Sequence, residues 1–207
     1  MDLRIIQVIE KYIDPDSSSI INKYTNIDRN EILEKIQKNK PLENQNMEEA
    51  DLSQLRLEHV HFINCNLSDA NFTKTHFLHT TFVNCNLQNA NLSNTNFYEC
   101  SFYNTDLENV IIQKALMTDI LFKDCILDNA RIKYTPMHSV LFQNTSLRKM
   151  TIISCVFNFC TFEKSECNNV ECRGSNFRTS KCIETLFENP SIKNYSIVPK
   201  HFLKVKV

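Results

Sequence analysis

From Leu42 to Phe202 every fifth residue is apolar, 33 positions in succession. A helix repeats its apolar positions at about 3.6 residues and a half-buried strand at 2, so a strict five describes neither. It describes a chain that winds round an axis and turns one large side chain of each five inward. Residues 20 apart then stack, and the four resulting columns differ in character. One reads Phe62, Phe82, Phe102, Phe122, Phe142, Phe162, and the next Leu67, Leu87, Leu107, Leu127, Leu147. A third follows Phe72 with Leu92, Ile112, Ile132 and Ile152, and a fourth mixes Phe77, Phe97, Met117, Met137, Phe157 and Phe177. Like stacked on like suits a solenoid, in which each turn buries its apolar side chains against its neighbours. Four sides of five residues per turn follow.

The position two before each apolar centre is small: Cys65, Ala70, Thr75, Thr80, Cys85, Ala90 and Thr95 form one such run. Leu55, Ile120 and Met150 are its exceptions in size. With Asn or Asp between the two inward positions, as in Ala50-Asp51-Leu52, Ala70-Asn71-Phe72 and Ala90-Asn91-Leu92, the pattern is A(D/N)LXX. Over residues 50 to 189, or 28 pentapeptides, the chain resembles the pentapeptide repeat family. That resemblance implies a β-solenoid, a right-handed quadrilateral β-helix of about seven coils, with short parallel bridges on each side and a tight turn at each corner. Seven turns at about 4.8 Å give a rod about 34 Å long. Asn64, Asn84, Asn104, Asp124 and Asn144 fall in one corner column, where Asn and Asp tolerate turn conformations. Gly174 is the sole glycine, so the turns must accept side chains.

Three segments are expected: an α-helical cap or small interaction module over 1–49, the β-helix over 50–189, and a C-terminal cap or tail over 190–207. Leu3, Ile6, Ile9 and Ile13 have helical spacing, as do Ile32, Leu33 and Ile36, and Asp28 with Glu31 has the form of a capping box. Past Asn189 the small position fails while the rhythm of five continues through Ile192, Ile197 and Phe202. Lys193, Lys200, Lys204 and Lys206 make that tail basic. Family resemblance adds a homodimer through the C-terminal end.

The nine cysteines keep the repeat register, Cys65, Cys85, Cys100, Cys125, Cys155 and Cys160 at the small position and Cys167, Cys172 and Cys182 at the large one. Buried cysteine behaves as a small hydrophobe, so they are read as packing in a reducing compartment. The chain has no apolar run long enough to span a membrane, and Met1-Asp2-Leu3-Arg4 lacks the basic start of a leader. The cytoplasm is the expected location, with secretion into a host cell by an uncleaved signal left open. The Lys-, Asn- and Ile-rich composition suggests an AT-rich bacterial source and an effector role.

No phosphate-binding loop, serine-nucleophile elbow or HExxH is present, and a filled coil offers walls where catalysis needs a pocket. A non-enzymatic chain with no cofactor is therefore expected. The corner column His59, His79, Glu99, Asp119 is the one metal candidate, and parallel side chains on a flat wall more often stay separately solvated.

Family members that act on bacterial DNA gyrase are understood to mimic DNA through an acidic stripe. Over residues 50–189 this chain carries 14 acids and 12 bases, and its outward positions favour Asn, which brings no phosphate-like charge. DNA gyrase is thus the alternative partner. Direct nucleic-acid binding is disfavoured, because the basic residues of the second half are interleaved with Glu163, Glu166 and Glu171. Outward apolar residues point instead to a protein partner. Ile111, Leu116, Leu121 and Ile126 face outward on four successive sides, with Leu78 and Tyr98 on one of them. The side bearing Ile63, Val83, Tyr103, Leu121 and Leu141 is the expected protein-binding surface, or else the N-terminal helices fold over it. Pro136 is expected to interrupt a bridge.

Overall fold

The structure, a computed structural model, describes residues 24–38, 40–185, 187–194, 196–199 and 202. The expected first helix through Leu3, Ile6, Ile9 and Ile13, and the tail lysines Lys200, Lys204 and Lys206, lie outside the described residues. The rest is a parallel β-solenoid of about eight turns with one short helix.

The fold follows from the period. The first wall, the Phe wall, is an eight-stranded parallel sheet of β2 (Leu42–Glu43), β5 (His61–Ile63), β7 (Thr81–Val83), β9 (Ser101–Tyr103), β12 (Leu121–Lys123), β15 (Leu141–Gln143), β18 (Thr161–Glu163) and β20 (Lys181–Ile183). Its register is 20 throughout, Phe62 opposite Phe82 and Phe102 opposite Phe122. The second, the Leu wall, is held by single bridges running from Asn46 to Glu166. The third has five strands, β10 (Ile111–Gln113), β13 (Arg131–Lys133), β16 (Thr151–Ile153), β19 (Glu171–Arg173) and β21 (Ser191–Lys193). The fourth has six, β4 (Arg56–Glu58), β6 (His76–Leu78), β8 (Asn96–Tyr98), β11 (Leu116–Thr118), β14 (Pro136–His138) and β17 (Val156–Asn158).

Inside, the Phe column stacks face to face. Phe62 and Phe82 centroids are 4.8 Å apart at 3°, and Phe82 and Phe102 are 4.7 Å apart at 0°. All nine cysteines are free thiols and all but the half-buried Cys182 are buried, as their register requires. The small inward position does more than fit. Thr75, Thr80, Thr145, Ser165 and Ser175 donate hydroxyl bonds to the carbonyls of Leu52, Leu57, Phe122, Phe142 and Ile152, each the centre of the coil below. Cys65 makes the same contact through Sγ to the Leu42 carbonyl at 3.0 Å. A buried carbonyl left without a donor is destabilising, so hydroxyl or thiol at this site satisfies the backbone as well as the volume.

Every corner from Asn44 at 53° to Asn194 at 53° but one is made by a residue with positive φ. Asn64, Asn84 and Asn104 also form a side-chain ladder, each Nδ2 donating to the Asn Oδ1 one coil below. Thr179 is absent from that set, as expected for a β-branched residue. Its hydroxyl accepts the Phe159 N–H at 3.1 Å in place of a corner carbonyl. Gly174, with φ +58°, holds a corner that its neighbours in the column hold with Tyr134 and Ser154. An added Cβ would meet the Asn194 carbonyl and Ser154 Oγ at 3.6 Å, an ordinary contact. Gly174→Asn is therefore expected to leave stability unchanged or raise it by no more than about 0.5 kcal/mol in thermal unfolding, because the unfolded chain loses conformational entropy.

Two boundaries differ from expectation. The ladder opens at Leu42, which pairs with Phe62 and is fully buried, so the coil begins before residue 50. Beneath it α1 (Arg29–Gln37) starts at the Asp28–Glu31 capping box and turns Ile32 into the core. Lys35 bonds Gln45, and Arg29 lies 4.0 Å from Asp51, which ties the helix to the base of the rod. β1 (Thr25–Asn26) pairs there with β3 (Gln45–Asn46). At the other end the register slips by one residue, because Asn176 pairs with Ile197 rather than with a residue 20 away. Val198 packs on the core, while Ile197 and Ile192 are exposed. No helix among the described residues is long and apolar enough to cross a membrane.

Candidate protein-interaction face

The fourth wall changes character halfway along the rod. Its central residues, Leu57 through Phe157, are all buried, and the first residue of each strand points out. In the lower coils that residue is Arg56, His76 or Asn96. In the upper coils it is Leu116, Pro136 or Val156, all exposed, with Pro136 and Val156 opposite each other in the ladder. Pro136 loses one rung, since pairing with β11 begins only at Met137, as a residue without an N–H requires. The corners flanking this stretch carry aromatic rings, Tyr134 at 52% and Phe159 at 64% exposure, both at positive φ. Bulky residues rarely adopt that conformation, and Asn serves the turn better. The Phe159 ring sits edge-on to His138 at 5.5 Å, and round the same corner lie the half-buried Leu121 and Leu141, paired with each other. Ile111 and Ile126 are also exposed, but their ladder neighbours are Asn91, Arg131, Asp106 and Ser146, so each stands singly. Single exposed apolar residues need no explanation, whereas a contiguous set marks a contact.

Of the expected binding residues, Ile63, Val83 and Tyr103 are buried, at 1%, 0% and 3% exposure. This corrects the expectation of an open strip. The three occupy the outward place of their strands, where Lys123, Gln143 and Glu163 remain partly exposed higher on the same wall. Burial raises the Tyr103 phenol above its ordinary range. Tyr134, Val156 and Phe159 were not singled out from sequence. Phe and Tyr at corner positions otherwise held mostly by polar residues are the available signal.

The His59 and His79 rings stack at 4.8 Å, and His79 Nδ1 lies 3.2 Å from Glu99. Tyr98 is held above the ordinary phenol range by its hydrogen bond to Glu99 and by that residue's charge. Among the described residues no three His, Cys, Asp or Glu side chains converge as a metal site. A depression lined by Ser165, Glu166, Cys182, Glu184 and Glu188 brings a thiol near carboxylates. Burial pushes that thiol up to about 12, which leaves it protonated and unreactive at neutral pH.

A family model described as a pentapeptide repeat region matches residues 55–132. Among solved structures, a trypsin-treated form of QnrB1, described as a plasmid-mediated fluoroquinolone resistance protein, is similar in fold with a TM-score of 0.59 at 14% identity. The match covers 76% of this chain and 84% of that one. A second trypsin-treated form of QnrB1 gives a TM-score of 0.51 at 13% identity, over 76% of this chain and 85% of that one. No curated protein matches the chain in sequence.

Proposed function

We propose that this pentapeptide repeat protein is a binding scaffold without catalysis of its own, and that its partner, a protein, docks on the upper fourth wall and round its corner to Leu121 and Leu141. The observation that carries this reading is the continuous exposed set Leu116, Pro136, Val156 and Phe159, in places where the same columns lower down hold Asn96, His76 and His79. A coil needs nothing apolar there, because every wall is already closed by its inward residues. Flat walls filled to the axis with Phe, Leu and Ile supply a rigid platform, which limits the ordering cost of association. The free buried thiols support a reducing compartment such as a cytoplasm.

The chain should be immobilised and used to capture partners from its native cell, beside Val156→Ser/Phe159→Ser. Each lost anchor is worth about 1.5 to 2 kcal/mol, roughly 10- to 30-fold in affinity. Partners retained by the native chain are expected to disappear with the variant, whose far-ultraviolet circular dichroism stays native. Equal capture by both would end the assignment of this wall.

A second reading, action on DNA gyrase or a related topoisomerase, follows from the resemblance of the repeats to the pentapeptide repeat family. The Asn ladders on the corners give that reading no phosphate-like charge. Purified protein is expected to leave gyrase supercoiling unchanged at micromolar amounts, and a dose-dependent change would place the second reading first.

A further inference from the structure

We infer that the protein partner of the upper fourth wall is a second copy of this chain, lying side by side with the first and antiparallel to it about Pro136; this rests on the reading of that wall as a contact face. The outward column that opens the wall's strands runs Asn96, Leu116, Pro136, Val156, Asn176, one coil apart at each step. It reads the same in both directions, polar at each end and apolar in the three places between. A two-fold contact demands that property, because each residue then meets the residue equally far on the other side of the axis. With the axis laid across the rod at Pro136, Leu116 of one copy lies against Val156 of the other, and Asn96 against Asn176. Pro136, with Tyr134 and His138 at the same level, meets its own copy. Leu116, Pro136 and Val156 are all exposed in the single chain, so the pair removes the whole apolar column from water.

The column also selects the orientation. Two rods that run parallel about a two-fold axis would reverse the wall across its width and set Leu116, Pro136 and Val156 on Thr118, His138 and Asn158. Apolar would then face polar. Charge favours the antiparallel pair as well. Tyr98 and Glu99 stand at the level of Asn96, and Arg178 stands at the level of Asn176, all three exposed. The antiparallel arrangement brings Arg178 of each copy to the level of Tyr98 and Glu99 of the other, twice by symmetry. Among the described residues Arg178 forms no ion pair within the chain. A guanidinium is well suited to an aromatic face beside a carboxylate. Asn96 and Asn176 are separated by four inter-coil steps, about 19 Å at the usual strand spacing. A single wall of that length buries less than the standard of about 800 Å² per partner, which puts the pair in the weak, concentration-dependent class. Both ends of the rod stay open in this pair, unlike in the end-to-end dimer that family resemblance implies.

Sedimentation velocity of the purified full chain, from about 1 to 300 µM, spans the range in which so small an interface associates. The mass is expected to rise from 24.2 kDa toward twice that value. Val156→Asp sets a carboxylate against Leu116 on both sides of the axis, and is expected to weaken association roughly tenfold or more with far-ultraviolet circular dichroism unchanged. Arg178→Glu is expected to weaken it roughly fivefold, and Glu99→Arg/Arg178→Glu to restore it to within about twofold. Within one chain these two positions lie too far apart to compensate each other, so the rescue reports the antiparallel register. A chain that stays monomeric over the whole range would overturn the inference. A dimer untouched by Val156→Asp, or one that the double variant fails to restore, would do the same. The contact face itself is judged separately: a monomeric chain that still loses a captured cellular protein in Val156→Ser/Phe159→Ser keeps the wall as a binding surface and refutes the second copy.

Discussion

Phe102→Ala is expected to destabilise the protein by about 3 to 5 kcal/mol, the range for deleting a fully buried aromatic ring. The ring is 1% exposed and sandwiched, 4.7 Å from Phe82 and 4.8 Å from Phe122, with Phe97 at 5.9 Å. Relaxation into the cavity would need β9 to move inward. Parallel pairing to β7 and β12 pins it on both sides. The position adds a second consequence. Coils of a solenoid are coupled only to their neighbours, so a defect in the middle weakens the link between two halves. Urea unfolding followed by circular dichroism is expected to show both a lower midpoint and a broader transition, with Phe102→Leu losing much less. A loss under about 1 kcal/mol would mean that the coil closes round the cavity and that the buried ring contributes little to stability.

The same stack explains how much of the molecule could be read from the chain. A period of five fixes which side chains point inward, and the contents of each column then follow, down to the cysteines and the single missing rung at Pro136. All of that depends on neighbours 20 residues away, and a sequence displays them. The fate of an outward residue depends on what lies beyond the wall. Val83 and Lys123 hold the same place in the repeat, yet one is buried and the other is not. No local pattern distinguishes them. The aromatic corners were missed for another reason. Corner positions were read for residues that ease a turn, and Phe159 and Tyr134 matter because they do not. At the C-terminal end one extra residue before Ile197 moves the inward place to Val198. Apolarity at every fifth position conceals that slip, since both residues are apolar.

Alkaline solution is expected to unfold the protein between about pH 9 and pH 11, and the buried thiols decide this. Burial pushes Cys100, Cys125, Cys172 and Cys182 up to about 12 and Cys155 and Cys160 up to about 11. In the unfolded chain the same thiols titrate near about 8.5. Below that value both states hold the proton, and the contribution to stability is complete. Above it the unfolded chain releases protons that the native chain keeps, so stability falls with rising pH until the native values are reached. Each thiol removes up to about 1.4 kcal/mol per pH unit in that window, and the six act together against a total stability of about 5 to 15 kcal/mol. The half-exposed Cys182 contributes less than the others because solvent screens it. Cys125→Thr and Cys160→Ser isolate the cause. Thr105 and Thr145 flank Cys125 in its column, and Thr145 donates to the Phe122 carbonyl as Cys125 does to that of Phe102, so the replacement keeps the hydrogen bond and removes the titration. The double variant is expected to move the pH midpoint of unfolding upward with little change at pH 7. Stability that stays level from about pH 8 to pH 10.5 in the native chain would show that the thiols ionise inside the coil at their ordinary values.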